Sequence, residues 1–230
     1  MMTPTMKHFF PFLVAASALL IAPSAALAQT PPPLVGTVEA GVYTPLNGSF
    51  KIEVPVLPEL GGGVHDTENV VTFRDNFGLL ITIAAFPQDA TQRWELSTRG
   101  NKDYLIYFFT NFVLADFKRF FPNAQLESAG YSADFMEGAL FTYVLLPGGS
   151  SFADREVFTQ PGTGPVAKRG NLCFVKNGYT FVISSELSER VTEGSRYNKT
   201  SDQENQILRQ RLLGVTKKMQ FPKPREAKQP

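Results

Sequence analysis

The chain has 230 residues, with 22 Lys and Arg against 21 Asp and Glu and a formal net charge of +1. This near-balance leaves no clustered basic excess of the kind with which nucleic-acid binders displace counterions, so nucleic acid and anionic membrane are not expected partners. A single Cys rules out an intramolecular disulfide framework, while 20 Phe supply large apolar groups for one substantial core in a chain of this length.

Lys7 precedes an apolar run from Phe9 to Ile21, and Ala26-Leu27-Ala28 supplies the small-x-small site that signal peptidase cleaves. The run is shorter than the ~20 residues a bilayer span needs, and Pro23 and Ser24 interrupt it. Residues 1–28 are therefore expected to be a cleaved signal peptide. The mature protein would begin at Gln29, periplasmic or secreted, with no stable membrane insertion. Pro31-Pro32-Pro33 cannot enter a helix or a ladder, so residues 29–40 read as a Pro-rich tether, with folding expected to start near Val35. A single domain is expected over 41–222.

Phe50, Ile52 and Val54 alternate with Lys51 and Glu53, the period of a strand with one buried face, and Pro55 stops it. Asn47-Gly48 turns into this strand from the segment around Val42 and Tyr43. After Gly61-Gly62-Gly63, the runs 69–73 and 79–86 predict a second hairpin, the latter so continuously apolar that both of its faces must be covered. The segment 103–121 predicts the covering helix. At 100° per residue, Leu105, Phe108, Phe109, Phe112, Val113 and Phe120 share one broad face, with Phe112 as a core anchor. The same stripe also allows an aromatic groove for an apolar ligand.

Residues 139–146 predict another strand, closed by Pro147-Gly148-Gly149, with 155–159 as its return. The segment 161–165 has no Gly-Lys-Ser/Thr ending, and its two prolines remove amide donors, so it reads as a rigid turn rather than a phosphate loop. Asn177-Gly178 between 171–176 and 179–185 predicts a type I′ hairpin. Ser201-Asp202-Gln203-Glu204 reads as a capping box opening a helix to about Lys217, with Ile207, Leu208, Leu212 and Val215 as its buried stripe. Residues 223–230 are charged and proline-bearing and are expected to be a disordered tail.

Catalytic groupings are absent from the sequence pattern. Cys173 lies between Leu172 and Phe174 and is expected to be a buried hydrophobe, and downstream of residue 28 the only His is His65. With His65 and Cys173 in separate elements, no metal site is expected, and His65-Asp66 reads as a polar loop pair. No catalytic, cofactor-binding or metal residue is assigned, and no cofactor is expected. Scattered carboxylates at Asp66, Asp75, Asp116 and Asp134 leave open an envelope hydrolase whose acid and base converge only in the fold. Asp116 lies near the apolar side of its helix, within reach of Arg119.

The segment Tyr43-Thr44-Pro45-Leu46-Asn47-Gly48-Ser49-Phe50-Lys51-Ile52-Glu53-Val54-Pro55 resembles the opening of the PsbP-like superfamily, and Lys176-Asn177-Gly178-Tyr179-Thr180-Phe181-Val182-Ile183 resembles that family's late hairpin. The superfamily includes the photosystem extrinsic subunit, a nuclear-import Ran-binding factor and many small exported bacterial proteins. The resemblance spans roughly residues 40–222. It implies an α+β fold, an antiparallel sheet flanked by helices in an α/β/α sandwich, and a non-catalytic binding or assembly-accessory role with a protein partner in the envelope. No metal or partner-binding residue of the family can be matched position by position. The long Phe-rich helix and the polar segment 186–200 depart from the family pattern. A carrier of an apolar small molecule, held between that helix and the sheet, is the remaining expectation.

Overall fold

The computed structural model describes residues 33–153 and 165–223. The expected signal peptide, the return strand 155–159, residues 161–164 of the proline turn and the tail 224–230 lie outside the described residues. In chain order the elements begin with three short strands, β1 (Thr37–Glu39), β2 (Val42–Thr44) and β3 (Lys51–Glu53). Next come β4 (Gly63–Asp66), β5 (Val70–Arg74) and β6 (Leu80–Pro87), then helices α1 (Ala90–Arg99) and α2 (Asn101–Phe108). A π-helical turn, Phe109–Val113, joins α2 to α3 (Leu114–Phe120). Four long strands follow, β7 (Gln125–Ser132), β8 (Ala139–Pro147), β9 (Val166–Lys176) and β10 (Tyr179–Glu186). The short helix α4 (Glu189–Thr192), the long helix α5 (Ser201–Lys218) and β11 (Met219–Gln220) complete the domain.

Among the described residues all pairing is antiparallel, in a four-stranded sheet of order β1-β2-β3-β11 and a seven-stranded sheet of order β4-β5-β6-β10-β9-β8-β7. The fold is therefore the α+β class expected, an antiparallel sheet flanked by helices. The hairpin at Asn177-Gly178 has positive φ at both residues, 52° and 78°, the conformation for which Asn-Gly is suited. It sets the β9–β10 register, with Phe174 opposite Phe181 and their rings stacked at 5.0 Å.

Alternation along the strands sorts side chains onto two faces. Ile81, Ile83 and Ala85 of β6, with Phe181 and Ile183 of β10, face α5 and the small sheet, where they join Tyr43, Phe50, Ile52, Leu212 and Met219 in one buried cluster. Ala84 and Phe86 of β6, with Val182 of β10 and Cys173 of β9, face α2 and α3, where Tyr104, Leu105, Phe108, Phe109 and Leu114 form a second cluster. The continuous apolar run of β6 is thus covered on both sides.

Several expectations need correction. The covering helix is not one regular helix over 103–121. It starts at Asn101 and carries the π turn, in which the Leu114 amide bonds to the Phe109 carbonyl. That extra residue moves Phe112 and Phe120 out of the core, leaving them 46% and 63% exposed. The capping box is built one residue earlier than expected. Thr200 accepts from the Gln203 amide while the Gln203 side chain accepts from the Thr200 amide, which frees Glu204 for a buried ion cluster. His65-Asp66 belongs to strand β4 rather than a loop. Pairing begins at Thr37, inside the segment assigned to the tether.

Three elements carry no sequence signal that was read. Helix α1 buries no residue, β4 is short and follows a glycine run, and β7 is an edge strand of largely exposed residues without apolar alternation. An element without a buried stripe shows no hydrophobic period to detect.

Candidate functional site

Helices α2 and α3 cover the sheet only in part, and between them and β5, β6 and β10 lies an open cleft of about 750 Å³. Its floor is set by strand alternation: Val70, Ala84, Phe86 and Val182 make it apolar along most of its length, and Thr82, Ser184 and Arg169 make it polar at one end. Phe108, Phe112, Val113 and Phe117 form the helical wall. The π turn shapes this wall, because a regular helix would have turned Phe112 onto the sheet. Such turns mark functional segments of helices often enough to direct attention here.

The polar end is ordered from below. Ser184 Oγ donates to Asn171 Oδ1 at 2.7 Å, and Asn171 Nδ2 donates to Thr142 Oγ1 at 3.3 Å, so these buried groups satisfy one another. Arg169 is only partly satisfied. Its Nη2 donates to Ser151 Oγ at 3.2 Å and lies 3.5 Å from Glu186 Oε2, and its guanidinium sits 5.7 Å from the centre of the Phe117 ring. Its Nε, by contrast, is buried without a hydrogen-bond partner among the described residues. Burial works against the charged form of Arg169, and the Glu186 carboxylate supports it. Glu186 is itself anchored by Ser150 Oγ at 2.6 Å and by the Ser151 amide at 3.1 Å.

The opposite end of the cleft carries a second buried orphan, Gln92 Oε1, on the first turn of α1 beside Phe86 and Pro87. At the rim, Asp116 pairs with Arg119 at 2.8 Å, as their i,i+3 spacing allows. A smaller depression of about 430 Å³ lies between the Phe77–Leu79 turn and α5, but its Glu189 and Arg211 already pair with each other.

The four carboxylates named from sequence do not converge. Asp66 accepts from the Val35 and Gly36 amides at 2.9 and 2.7 Å and from the Tyr43 hydroxyl at 2.8 Å, tying the start of the domain to β4. Asp75 accepts from the amides of Phe77, Gly78 and Leu79 and so holds the β5–β6 turn. Burial alone would raise both pKa values, and the donors bring them below the ordinary carboxylate range. Asp116 is at the cleft rim, and Asp134 is exposed in the β7–β8 connection. Cys173 is fully buried beneath the helices, and burial pushes its thiol up to about 12. Among the described residues, no three His, Cys, Asp or Glu side chains gather as a metal site, and no helix is long and apolar enough to cross a membrane.

Sequence reading missed Arg169, Ser184, Thr82 and Gln92. The available signal was Arg169, a charged side chain two residues from Asn171 and four from Cys173, which shares their strand face only because the strand begins at Val166 rather than at the expected Asn171.

No protein-family model and no curated protein sequence matches the chain. Among solved structures, it is similar to the cyanobacterial PsbP of Synechocystis sp. PCC 6803, with 11% identity and a TM-score of 0.48 over 79% of this chain and 91% of that one. It is also similar to the Ran-binding protein Mog1p of Saccharomyces cerevisiae, with 8% identity and a TM-score of 0.45 over 82% of this chain and 96% of that one. A structure from Bacteroides thetaiotaomicron VPI-5482 aligns with 12% identity and a TM-score of 0.38, over 80% of this chain and 48% of its own.

Proposed function

We propose that the chain is a non-catalytic binding or assembly-accessory protein of the cell envelope, exported by residues 1–28, and that its working surface is the cleft beneath α2 and α3. The observation that carries this reading is the chemistry of the cleft. Apolar walls and one partly satisfied guanidinium converge there, whereas Asp66, Asp75 and Asp134 lie elsewhere and Asp116 is tied to Arg119 at its rim. Recognition needs a shaped apolar surface with a few fixed polar groups, and acid–base chemistry needs titratable groups around a common point.

A photo-crosslinking phenylalanine analogue at position 112, compared with one at exposed Gln206 on α5, tests the surface in the native envelope. Adducts formed through position 112 and not through position 206 are expected; equal yields at both, or none at either, defeat the assignment. Amino-terminal sequencing of the same preparation should return Gln29, and recovery of Met1 or Met2 from the extracytoplasmic fraction would defeat export by cleavage. Asn replacements at Asp66, Asp75, Asp116 and Asp134 should leave the adduct and the cellular role intact. A folded variant that lost the role through one of these changes would favour the hydrolase.

A further inference from the structure

The two orphaned polar atoms of the cleft stand at its opposite ends, and the floor between them is apolar over Val70, Ala84, Phe86 and Val182, with Thr82 and Ser184 only at the Arg169 end. Phe86 lies opposite Thr180 and Arg169 opposite Glu186 in the β10 ladders. Those two positions are six residues apart on β10, about 20 Å at the rise of a strand. The cleft is therefore long, with apolar walls and one end that carries the Arg169 guanidinium. Its volume of about 750 Å³ lies within the range of pockets that enclose small ligands.

We infer that this cleft binds a long-chain carboxylate, with the acyl chain along Ala84, Val182, Phe108 and Phe112 and the carboxylate accepting from Arg169 Nε; the inference rests on the binding role proposed above. The buried Nε–H has no acceptor among the described residues, and an anionic oxygen would satisfy it with a charge-assisted bond. The charge of the ligand is set by its surroundings. Glu186 lies 3.5 Å from Arg169, and Arg119 at the rim is committed to Asp116, so the site offers little net positive charge. Such a site accommodates a monoanion and repels a phosphate dianion. The length and apolar walls favour an alkyl tail over a sugar or an amino acid, whose hydroxyl or ammonium groups would find no partners on Val70, Ala84, Phe86 and Val182 beyond the polar end.

The test is calorimetric titration of the mature full-length protein with dodecanoate and with dodecanol, which share a tail and differ in charge. Dodecanoate should bind one per chain and about tenfold or more tightly than dodecanol, the difference expected of a charge-assisted contact. Arg169→Met should bring dodecanoate to the affinity of dodecanol. Phe112→Asp should weaken both; because Phe112 is half exposed, this variant keeps the fold even if Arg169→Met does not. Equal binding of the two probes by the wild-type protein, or dodecanoate binding unaffected by Phe112→Asp, overturns the inference. A protein that binds neither probe yet still crosslinks through position 112 loses this ligand class and keeps its binding role.

Discussion

On the face of the seven-stranded sheet that meets α5 and the small sheet, Phe73, Ile83, Phe174 and Phe181 are wholly buried, and the rings of Phe50 and Phe221 stand edge-on against Phe181 at 6.1 and 5.4 Å. On the opposite face Thr82, Ser184 and Arg169 share the floor with Ala84 and Val182, and the wall residue Phe112 is half exposed. One sheet thus presents a sealed side and an open side, because alternate residues of the same strands obey different demands. The sealed side keeps its few buried polar groups paired, as Lys168 with Glu204, and supplies stability. The open side keeps polar groups that a stability-optimised core would replace, and retains volume that a side chain could fill.

The sharpest way to break this contrast is to damage each side in turn. Phe181→Ala removes a ring that contacts Phe174, Phe50 and Phe221, in a site too rigid to close over the loss, and should cost about 3–5 kcal/mol in a urea melt. A loss below 1 kcal/mol would mean that the sealed side is loosely packed. Slightly less damaging is Lys168→Ala. Lys168 is fully buried, donates to Glu204 Oε2 at 2.9 Å and pairs with Glu127. Its removal leaves Glu204, 2% exposed, with only Arg190 and Tyr197, and should cost about 3 kcal/mol.

The ion cluster also makes stability depend on pH. Burial would raise the Glu204 carboxyl, but hydrogen bonds from Lys168 and Tyr197 and the charges of Lys168 and Arg190 hold it below its ordinary 4.5. Asp66 and Asp75 are lowered likewise by their donors. Each group binds its proton less readily in the folded chain, so as pH falls the unfolded chain takes up protons first. The resulting stabilisation is complete above about pH 5 and is lost as pH drops through 4 and below. Urea midpoints at pH 7 and pH 4 should therefore differ for the wild type, and differ less for Glu204→Gln. An equal acid drop in both would show that Glu204 contributes nothing to it.

The sealed side was legible in the sequence. Period-2 alternation at 50–54, the continuously apolar run 79–86, the Asn177-Gly178 turn and the stripe Leu208, Leu212, Val215 each report a residue's local preference, and there local preference and packing agree. The open side was legible only as a Phe-rich helix. Arg169 and Ser184 are separated by 15 positions and meet only through the β9–β10 pairing, which no local pattern encodes. The face of Asn101–Phe120 was misjudged because a regular period of 3.6 was carried across a π turn, whose presence depends on the sheet it packs against.

That turn holds, at Phe112, the smallest expected effect, and the contrast with Phe109 is the most discriminating one. In a regular helix Phe109 is followed on its own face by Phe112, Val113 and then Phe120. With one residue added to the turn, the face continues instead through Leu114, Phe117 and Phe121, which pack into the cluster around Phe108, while Phe112 stands at the cleft mouth with its ring 5.0 Å from that of Phe108. Phe109→Ala should thus cost about 3–5 kcal/mol, and Phe112→Ala about 1 kcal/mol or less, as a half-exposed ring gives up little buried area. Denaturant melts of the two variants decide between the π turn and a regular helix. Equal losses would place Phe112 back in the core and close the cleft, whereas a stable Phe112→Ala protein with weakened dodecanoate binding would separate the residue's contribution to the site from any contribution to the fold.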